Sequence, residues 1–163
     1  MENYERLKGK KILIVDDEPD ILDTLEDLLS MCEVTKITSF LEAEKRLLNE
    51  RFDIAILDIM GVNGYKLLEI SKQKGVMPVM LTANAFSLSD TIQSFKKGAV
   101  SYIPKEKMGN IALYLNDILE AKEKGQHPLT RWMDHFADFY AKKFTPNWKD
   151  KDKEFWDKLK YYI

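Results

Sequence analysis

Short apolar runs alternate with longer amphipathic segments from residue 11 onwards. The short runs are rich in β-branched residues and are flanked by polar or turn-forming positions, a pattern that is typical of strands. They predict five strands, at residues 11–15, 33–38, 53–57, 77–81 and 99–103. The first, third and fourth runs are apolar almost throughout, which indicates strands that are buried on both faces of a parallel sheet.

The segments between these strands have the spacing of amphipathic helices. Leu22, Leu25 and Leu29 recur at intervals of three and four residues, which places them on one helical face. Ser39 and Ser87 each precede an acidic residue by three positions, a pattern that favours a helix start. Five strand–helix units with right-handed crossovers predict a doubly wound (βα)5 three-layer α/β sandwich.

The last 38 residues differ in composition from the rest of the chain. Residues 126–163 contain ten of the eighteen aromatic side chains and all three tryptophans. They carry 8 Lys/Arg and 6 Asp/Glu, whereas residues 1–125 carry 17 and 21. Gly125 and Pro128 are typical of a helix end followed by a new helix start. We therefore predict one domain over 1–125 and an aromatic-rich helical extension over 126–163.

The extension contains two apolar stripes at helical spacing. The first consists of Leu129, Trp132, Met133, Phe136, Phe139 and Tyr140, and the second of Phe155, Trp156, Leu159 and Tyr162. Stripes this aromatic would form a sticky patch if they were exposed to solvent, so another surface must cover them. Two alternatives are open: the stripes pack back on the domain or on each other, or they bind another protein, which could be a second copy of the chain.

Charge and cysteine content limit the function further. The formal net charge is -2, from 25 basic and 27 acidic residues, so no basic field favours nucleic acid or an anionic membrane. The extension is too short and too weakly basic for a DNA-binding output domain. Cys32 is the only cysteine, which is typical of a reducing compartment. With no apolar signal-like segment at residues 1–10, we expect a cytoplasmic protein with neither a nucleic-acid nor a membrane partner.

Charged and hydroxyl side chains follow four of the predicted strands. Asp16 and Asp17 follow the first, Asp58 the third, Thr82 ends the fourth and Lys105 follows the fifth. The carboxyl ends of parallel strands meet at one edge, where such sheets bind ligands. Three carboxylates there repel one another unless a cation such as Mg²⁺ is bound. Because a carboxylate can also attack a phosphoryl group, this set favours phosphoryl transfer onto the central Asp58.

Four motifs in this order resemble the receiver domain of two-component response regulators. They are Ile-Leu-Ile-Val-Asp16-Asp17-Glu18-Pro19, Ile-Leu-Asp58-Ile-Met60, Leu-Thr82-Ala83 and Tyr102-Ile-Pro-Lys105. The resemblance covers roughly residues 10–123. It implies a five-stranded parallel sheet of flavodoxin-like order 2-1-3-4-5, and a phosphorylation-dependent signalling switch.

The resemblance also implies a phosphorylation site and a metal site. Asp58 would be the phosphoacceptor and would share in binding Mg²⁺. Asp17 would be a direct metal ligand, Asp16 a ligand acting through water, and the backbone carbonyl of Met60 a further ligand.

A second set of residues would bind the phosphoryl group and transmit its presence. Thr82, Ala83 and Lys105 would contact the phosphoryl group, and Tyr102 would be an aromatic switch that turns inward when Thr82 moves. The implied partners are a sensor histidine kinase or phosphotransfer protein as donor, and an unknown downstream protein. Catalysis would be limited to self-phosphorylation from phosphohistidine or small phosphodonors and to slow autodephosphorylation.

Two positions depart from the family pattern. The segment from Asp58 to the helix-opening Gly64 is two residues shorter than usual, with Gly61 in place of proline. Glu106 follows Lys105, where the family commonly has a proline in a cis peptide. The sequence alone therefore does not determine the path of these two loops near the acceptor.

Two other functions remain as alternatives. The shortened loop is compatible with a receiver-like scaffold that has lost phosphotransfer and acts through its C-terminal helices. A small Mg²⁺-dependent phosphatase is disfavoured, because such enzymes generally need a second acid just after the nucleophile and this chain has Ile59 and Met60 there.

Overall fold

A computed structural model describes residues 4–83 and 87–158 of the chain. All five predicted strands are present: β1 Lys11–Val15, β2 Glu33–Ile37, β3 Ile54–Asp58, β4 Met77–Thr82 and β5 Ser101–Pro104. The last strand begins two residues later than its apolar run predicts. Ala99 is not yet part of the strand, because its N–H donates to the carbonyl of Ser94 near the end of the preceding helix, at 3.0 Å.

The sheet is parallel throughout and has the strand order β2-β1-β3-β4-β5. This confirms the predicted fold class and order. The ladders pair Val15 with Leu57, and Thr82 with Pro104. The strand ends are thus nearly level with one another, and the residues that follow β1, β3, β4 and β5 meet along one edge.

Within the described residues, seven α-helices surround and extend the sheet: α1 Pro19–Leu28, α2 Phe40–Asn49, α3 Gly64–Gln73, α4 Leu88–Lys96, α5 Ile111–Glu123, α6 Pro128–Lys143 and α7 Lys153–Lys158. Short 3-10 helices lie at Glu5–Leu7, Lys105–Asn110 and Trp148–Asp152. Over the described ranges, none of the helices has the length and apolar character needed to cross a bilayer.

Both predicted serine caps are formed. The Ser39 hydroxyl accepts a hydrogen bond from the Glu42 N–H at 3.4 Å, and the Ser87 hydroxyl accepts one from the Asp90 N–H at 3.0 Å. Each bond satisfies a backbone donor that has no partner within its helix. The two serines therefore fix where α2 and α4 begin.

The helices form two layers with the sheet between them. α1 packs against α5, and α2 packs against α3. The Tyr65 hydroxyl of α3 donates to an Asp90 carboxylate oxygen at 2.7 Å, which places α4 beside α3. Residues of β1, β3 and β4 are almost completely buried, as the continuous apolar runs predict.

A helix starts at Pro128, as the sequence pattern predicts. Gly125 ends the α5 segment with a φ of 66°, a left-handed value that glycine adopts without steric cost, and Pro128 is the first residue of α6. α6 packs against α5 and β5. From the first apolar stripe it buries Leu129, Trp132, Phe136 and Tyr140. This stripe therefore packs back on the domain, which was the first of the two alternatives.

The second stripe contributes Phe155 and Trp156, which are both buried. Leu159 and Tyr162, which the sequence also assigns to it, lie outside the described residues. Trp156 stacks on Trp132 with ring centroids 6.0 Å apart, and Trp132 meets Phe95 of α4 edge to face at 5.0 Å. The two stripes and α4 thus share one aromatic cluster.

Polar contacts join α6 to α5 beside this cluster. Arg131 donates to a Glu120 carboxylate oxygen at 2.7 Å and lies 3.6 Å from an Asp117 carboxylate oxygen. The ring of His135 also contacts the Asp117 carboxylate. These pairs fix the register of α6 along α5.

We expect Phe136→Ala to lower the free energy of unfolding by about 3–5 kcal/mol, because it leaves a cavity between α5 and α6. Phe136 is 1% exposed and contacts the rings of Tyr114 and Trp132. Phe139→Ala on the same helix is the matched control and should cost less, since Phe139 is only partly buried. Guanidinium denaturation followed by near-UV circular dichroism measures both. Equal losses would contradict the packing of α6.

Candidate functional site

Asp58 is the last residue of β3, the central strand, and is only 6% exposed. Its position in the middle of the sheet follows from the strand order, because β1 and β4 flank β3 on either side. One carboxylate oxygen lies 3.5 Å from the Lys105 ammonium nitrogen. The acceptor predicted from the sequence is therefore a nearly buried carboxylate beside a cation.

Lys105 follows β5 directly and reaches back over the strand ends. Its Nζ lies 2.8 Å from an Asp16 carboxylate oxygen, 3.2 Å from Glu18 and 3.5 Å from Asp58. The side chain is 10% exposed. The Lys105–Glu106 peptide bond is trans, so Glu106 does not prevent Lys105 from reaching the site.

Asp16 has both a structural and an electrostatic role. It is completely buried, and one carboxylate oxygen accepts a hydrogen bond from the Glu18 N–H at 2.9 Å. This bond fixes the turn into α1, a role that a carboxylate after a strand often has. The other oxygen faces Lys105 at 2.8 Å. Turn formation therefore orients the same carboxylate that holds the lysine.

Asp17 and Glu18 are exposed neighbours of Asp16. One carboxylate oxygen from each of the three residues lies within 4.8 Å of the other two. Carboxylate oxygens are the ligands that Mg²⁺ prefers, so the donor set fits this ion. Glu18 is not among the metal ligands predicted from the sequence, although its position next to Asp17 was an available signal.

The short loop between β3 and α3 turns tightly and buries two apolar side chains. Ile59 and Val62 are 5% and 1% exposed, whereas Met60 is 60% exposed. The N–H of Gly64 donates to the Ile59 carbonyl at 3.1 Å and closes the turn. The loop thus compensates for the two missing residues. The metal-ligand role of the Met60 carbonyl stays a prediction.

Two glycines in this loop lie against the site. Gly61 has a φ of 79°, and a Cβ there would lie 2.5 Å from an Asp17 carboxylate oxygen. A Cβ on Gly64 would overlap with the backbone carbonyl of Asp58. Proline, whose φ is fixed at about −65°, cannot adopt the left-handed φ of Gly61, so this turn needs the glycine that stands in place of the expected proline.

Thr82 is the last residue of β4 and is 1% exposed. Among the residues that the structure describes, none forms a hydrogen bond with its hydroxyl. Burying a hydroxyl without a hydrogen-bond partner costs free energy. The Thr82 hydroxyl would therefore be stabilised by donating to an acceptor such as a phosphoryl oxygen. Ala83 follows at the exposed end of the strand, and its phosphoryl-binding role stays a prediction.

Tyr102 is completely buried on β5. Its hydroxyl interacts with the side chain of Thr91 in α4 and with the backbone of Ser87. The structure therefore brings together Asp16, Asp58 and Lys105, but places the Tyr102 hydroxyl apart from them. The ring is in the inward position of the predicted switch, while the switching role itself stays a prediction.

Burial and mutual repulsion dominate the electrostatics of the site. Burial, together with the Asp16 carboxylate, raises the pKa of Asp58 to about 6, although Lys105 opposes the shift. Burial likewise raises the pKa of Asp16. Burial disfavours the Lys105 ammonium, but the hydrogen bond to Asp16 and the nearby carboxylates outweigh it and raise the pKa of Lys105. Ionisation of these carboxylates therefore destabilises the folded site. A bound cation would offset the repulsion between them.

The chain matches the family model described as "Response regulator receiver domain" over residues 12–115. It belongs to this family. The receiver match covers β1 to β5 and part of α5, with Asp16, Asp17, Asp58, Thr82 and Lys105 inside it.

Curated relatives include the heme response regulator HssR of Staphylococcus haemolyticus and the two-component response regulator ARR11 of Arabidopsis thaliana. The first is 33% identical over 58% of this chain and 44% of its own length. The second is 31% identical over 70% of this chain and 23% of its own length. The chain thus spans less than half the length of these two relatives.

Solved structures include a CheY-like receiver domain protein from Methanospirillum hungatei JF-1. It is 32% identical, has a TM-score of 0.64, and aligns over 72% of this chain and 99% of its own. A putative response regulator from Chloroflexus aurantiacus J-10-fl is 29% identical with a TM-score of 0.60, over 69% and 98% of the two chains. Both are covered almost completely, so the receiver fold of this chain is shared with them over nearly their full length.

We expect Gly64→Ala to lower the free energy of unfolding by about 2–4 kcal/mol, because the new methyl group overlaps with the Asp58 backbone in the receiver loop. Gly109→Ala is the control, since a Cβ there has nothing within 4 Å. Urea denaturation measures both variants. Similar stabilities for the two would show that the loop moves aside at no cost.

We expect Asp58→Asn to stabilise the receiver at pH 8 in the presence of a chelator. The folded state raises the pKa of Asp58 to about 6, above its ordinary value, so it binds the proton more tightly than the unfolded state does. That stability is present below about pH 4 and is lost as the pH rises through 6. The variant should gain about 2 kcal/mol at pH 8 and little at pH 4. Thermal unfolding at both pH values measures the difference. A gain that does not depend on pH would contradict this origin.

Proposed function

We propose that this receiver is a phosphorylation-dependent switch and that Asp58 is its phosphoacceptor. The observation that carries the proposal is the position of Lys105, whose ammonium lies between Asp16 at 2.8 Å and Asp58 at 3.5 Å. A lysine in this place neutralises charge that arrives on the central carboxylate. With a pKa of about 6, Asp58 is also ionised and nucleophilic at neutral pH.

In the proposed reaction, an Asp58 carboxylate oxygen attacks the phosphorus of a phosphohistidine. The new O–P bond forms as the P–N bond breaks, and the imidazole nitrogen keeps the electron pair and is protonated. Lys105 then shifts its contact from Asp16 towards the phosphoryl oxygens. The Thr82 hydroxyl, which has no partner among the described residues, donates to another of these oxygens. Transfer of this kind depends mainly on positioning and charge neutralisation.

Asp16, Asp17, Asp58 and the Met60 carbonyl would hold Mg²⁺, as the resemblance implies. Glu18 lies close enough to Asp16 and Asp17 to contribute a further oxygen. The ion would supply positive charge for the carboxylates and for the phosphoryl oxygens. The chain itself orients Asp16 through the Glu18 N–H and leaves room for Asp17 beside Gly61.

The donor would be a sensor histidine kinase or a phosphotransfer protein, and a downstream protein would read the phosphorylated state. Curated relatives named as response regulators support this assignment. Catalysis by the chain would be confined to its own phosphorylation and slow dephosphorylation.

Incubation with Mg²⁺ and acetyl phosphate, followed by intact mass spectrometry, tests the proposal. We expect wild-type protein to gain the mass of one phosphoryl group. Asp58→Ala should gain nothing, since the nucleophile is removed. Asp27→Ala, which removes an exposed carboxylate on α1, is the matched control and should behave as wild type.

Three outcomes are informative. An adduct that survives Asp58→Ala would place the acceptor elsewhere. No adduct in the wild type, with or without Mg²⁺, would favour a receiver-like scaffold that acts through its C-terminal helices. If a phosphomonoester is supplied in place of acetyl phosphate, its rapid hydrolysis would favour the phosphatase alternative.

A further inference from the structure

The extension contacts the backbone of the strand that leads to the lysine. β5 is an edge strand, with β4 as its one neighbour in the sheet. The indole N–H of Trp132 in α6 donates to the Tyr102 carbonyl of β5 at 2.8 Å. Edge strands carry backbone groups without ladder partners, which proteins often cover with a helix. Helix α6 covers the edge strand β5 in this way.

A second contact between the extension and the surroundings of Tyr102 involves the hydroxyl of Tyr140. The Tyr140 hydroxyl of α6 lies 2.7 Å from the Thr91 hydroxyl, and the Thr91 side chain also interacts with Tyr102. Thr91 in turn donates to the Ser87 carbonyl at 2.7 Å. Both tyrosines are completely buried. Tyr140 also contacts the ring of Trp132, with centroids 5.1 Å apart, so both α6 side chains lie around Tyr102 and its α4 neighbour Thr91.

Tyr102 is also closely connected to the proposed phosphoryl contacts. It lies three residues before Lys105, and two before Pro104, which pairs with Thr82 in the sheet. If Thr82 moves towards a phosphoryl group, it vacates volume behind it. Protein interiors are close-packed, so a large side chain held inward next to that volume favours the movement.

We propose that Trp132 and Tyr140 are positioning residues: the docked extension holds Tyr102 inward and thereby favours the phosphorylated state of Asp58. This inference rests on the proposed function. By thermodynamic reciprocity, occupation of Asp58 tightens the docking of α6 by the same factor. The extension is then part of the switch and not only a cover for the sheet edge.

The test measures the affinity of the full-length protein for beryllium fluoride, a phosphoryl mimic, in the presence of Mg²⁺ by calorimetry. Tyr140→Phe removes the hydroxyl and keeps the ring. We expect affinity to fall by about threefold to tenfold, the equivalent of one buried hydrogen bond. Tyr114→Phe is the matched control: it also removes a hydroxyl at the α5–α6 interface, but one that interacts with Asn110. It should leave the affinity unchanged.

A purely structural role for Tyr140 would lower thermal stability without changing this affinity, and that result would overturn the inference. Equal effects of Tyr140→Phe and Tyr114→Phe would overturn it as well. Trp132→Phe, which removes the bond to the Tyr102 carbonyl, provides a second and independent variant. It should weaken beryllium fluoride binding in the same direction.

The reciprocal effect has its own measurement. All three tryptophans lie in residues 126–163, so intrinsic tryptophan fluorescence reports on the extension alone. We expect beryllium fluoride to change the emission of wild type but not of Asp58→Ala, and to slow hydrogen exchange across 128–143. Binding without either change would overturn the inference and leave the proposed function intact. Absence of binding and of a phosphoryl adduct in wild type would instead overturn the proposed function, and the inference with it.

Discussion

The charge balance between one ammonium group and the buried carboxylates at the strand ends is the constraint on which the site depends. Asp16 and Asp58 come from adjacent strands and are almost completely removed from water, where two negative charges repel strongly. Lys105 crosses from β5 to contact both. In the proposed switch, charge that arrives at Asp58 changes the partner that Lys105 prefers.

The fold could be predicted from the sequence because its signals are local. Continuous apolar runs and serine caps define the strands and helix starts without reference to distant residues, and parallel topology then brings the strand ends to one edge. The same logic placed Asp58 and Lys105 together, since each directly follows a strand. Thr82 was predicted for the same reason, and the structure adds that its hydroxyl is buried.

What the sequence did not reveal depends on contacts between distant segments. The requirement for glycine at position 61 arises from its left-handed φ of 79°, which spacing along the sequence does not reveal. Whether the aromatic stripes pack on the domain or on a partner could not be decided from periodicity, because both arrangements need the same apolar face. Contacts such as the hydrogen bond from Trp132 to the Tyr102 backbone distinguish them for α6.

The position of α6 also bears on how the sheet avoids unwanted association. A parallel sheet has two edges, and exposed edges can pair with other chains. At β5, helix α6 covers the edge. The other edge strand, β2, carries Lys36, which pairs with Asp23 and Glu26 of α1. One edge is thus shielded by apolar burial and the other by charge. High salt screens exposed ion pairs but not buried aromatic contacts, so the two edges differ in their sensitivity to the ionic environment.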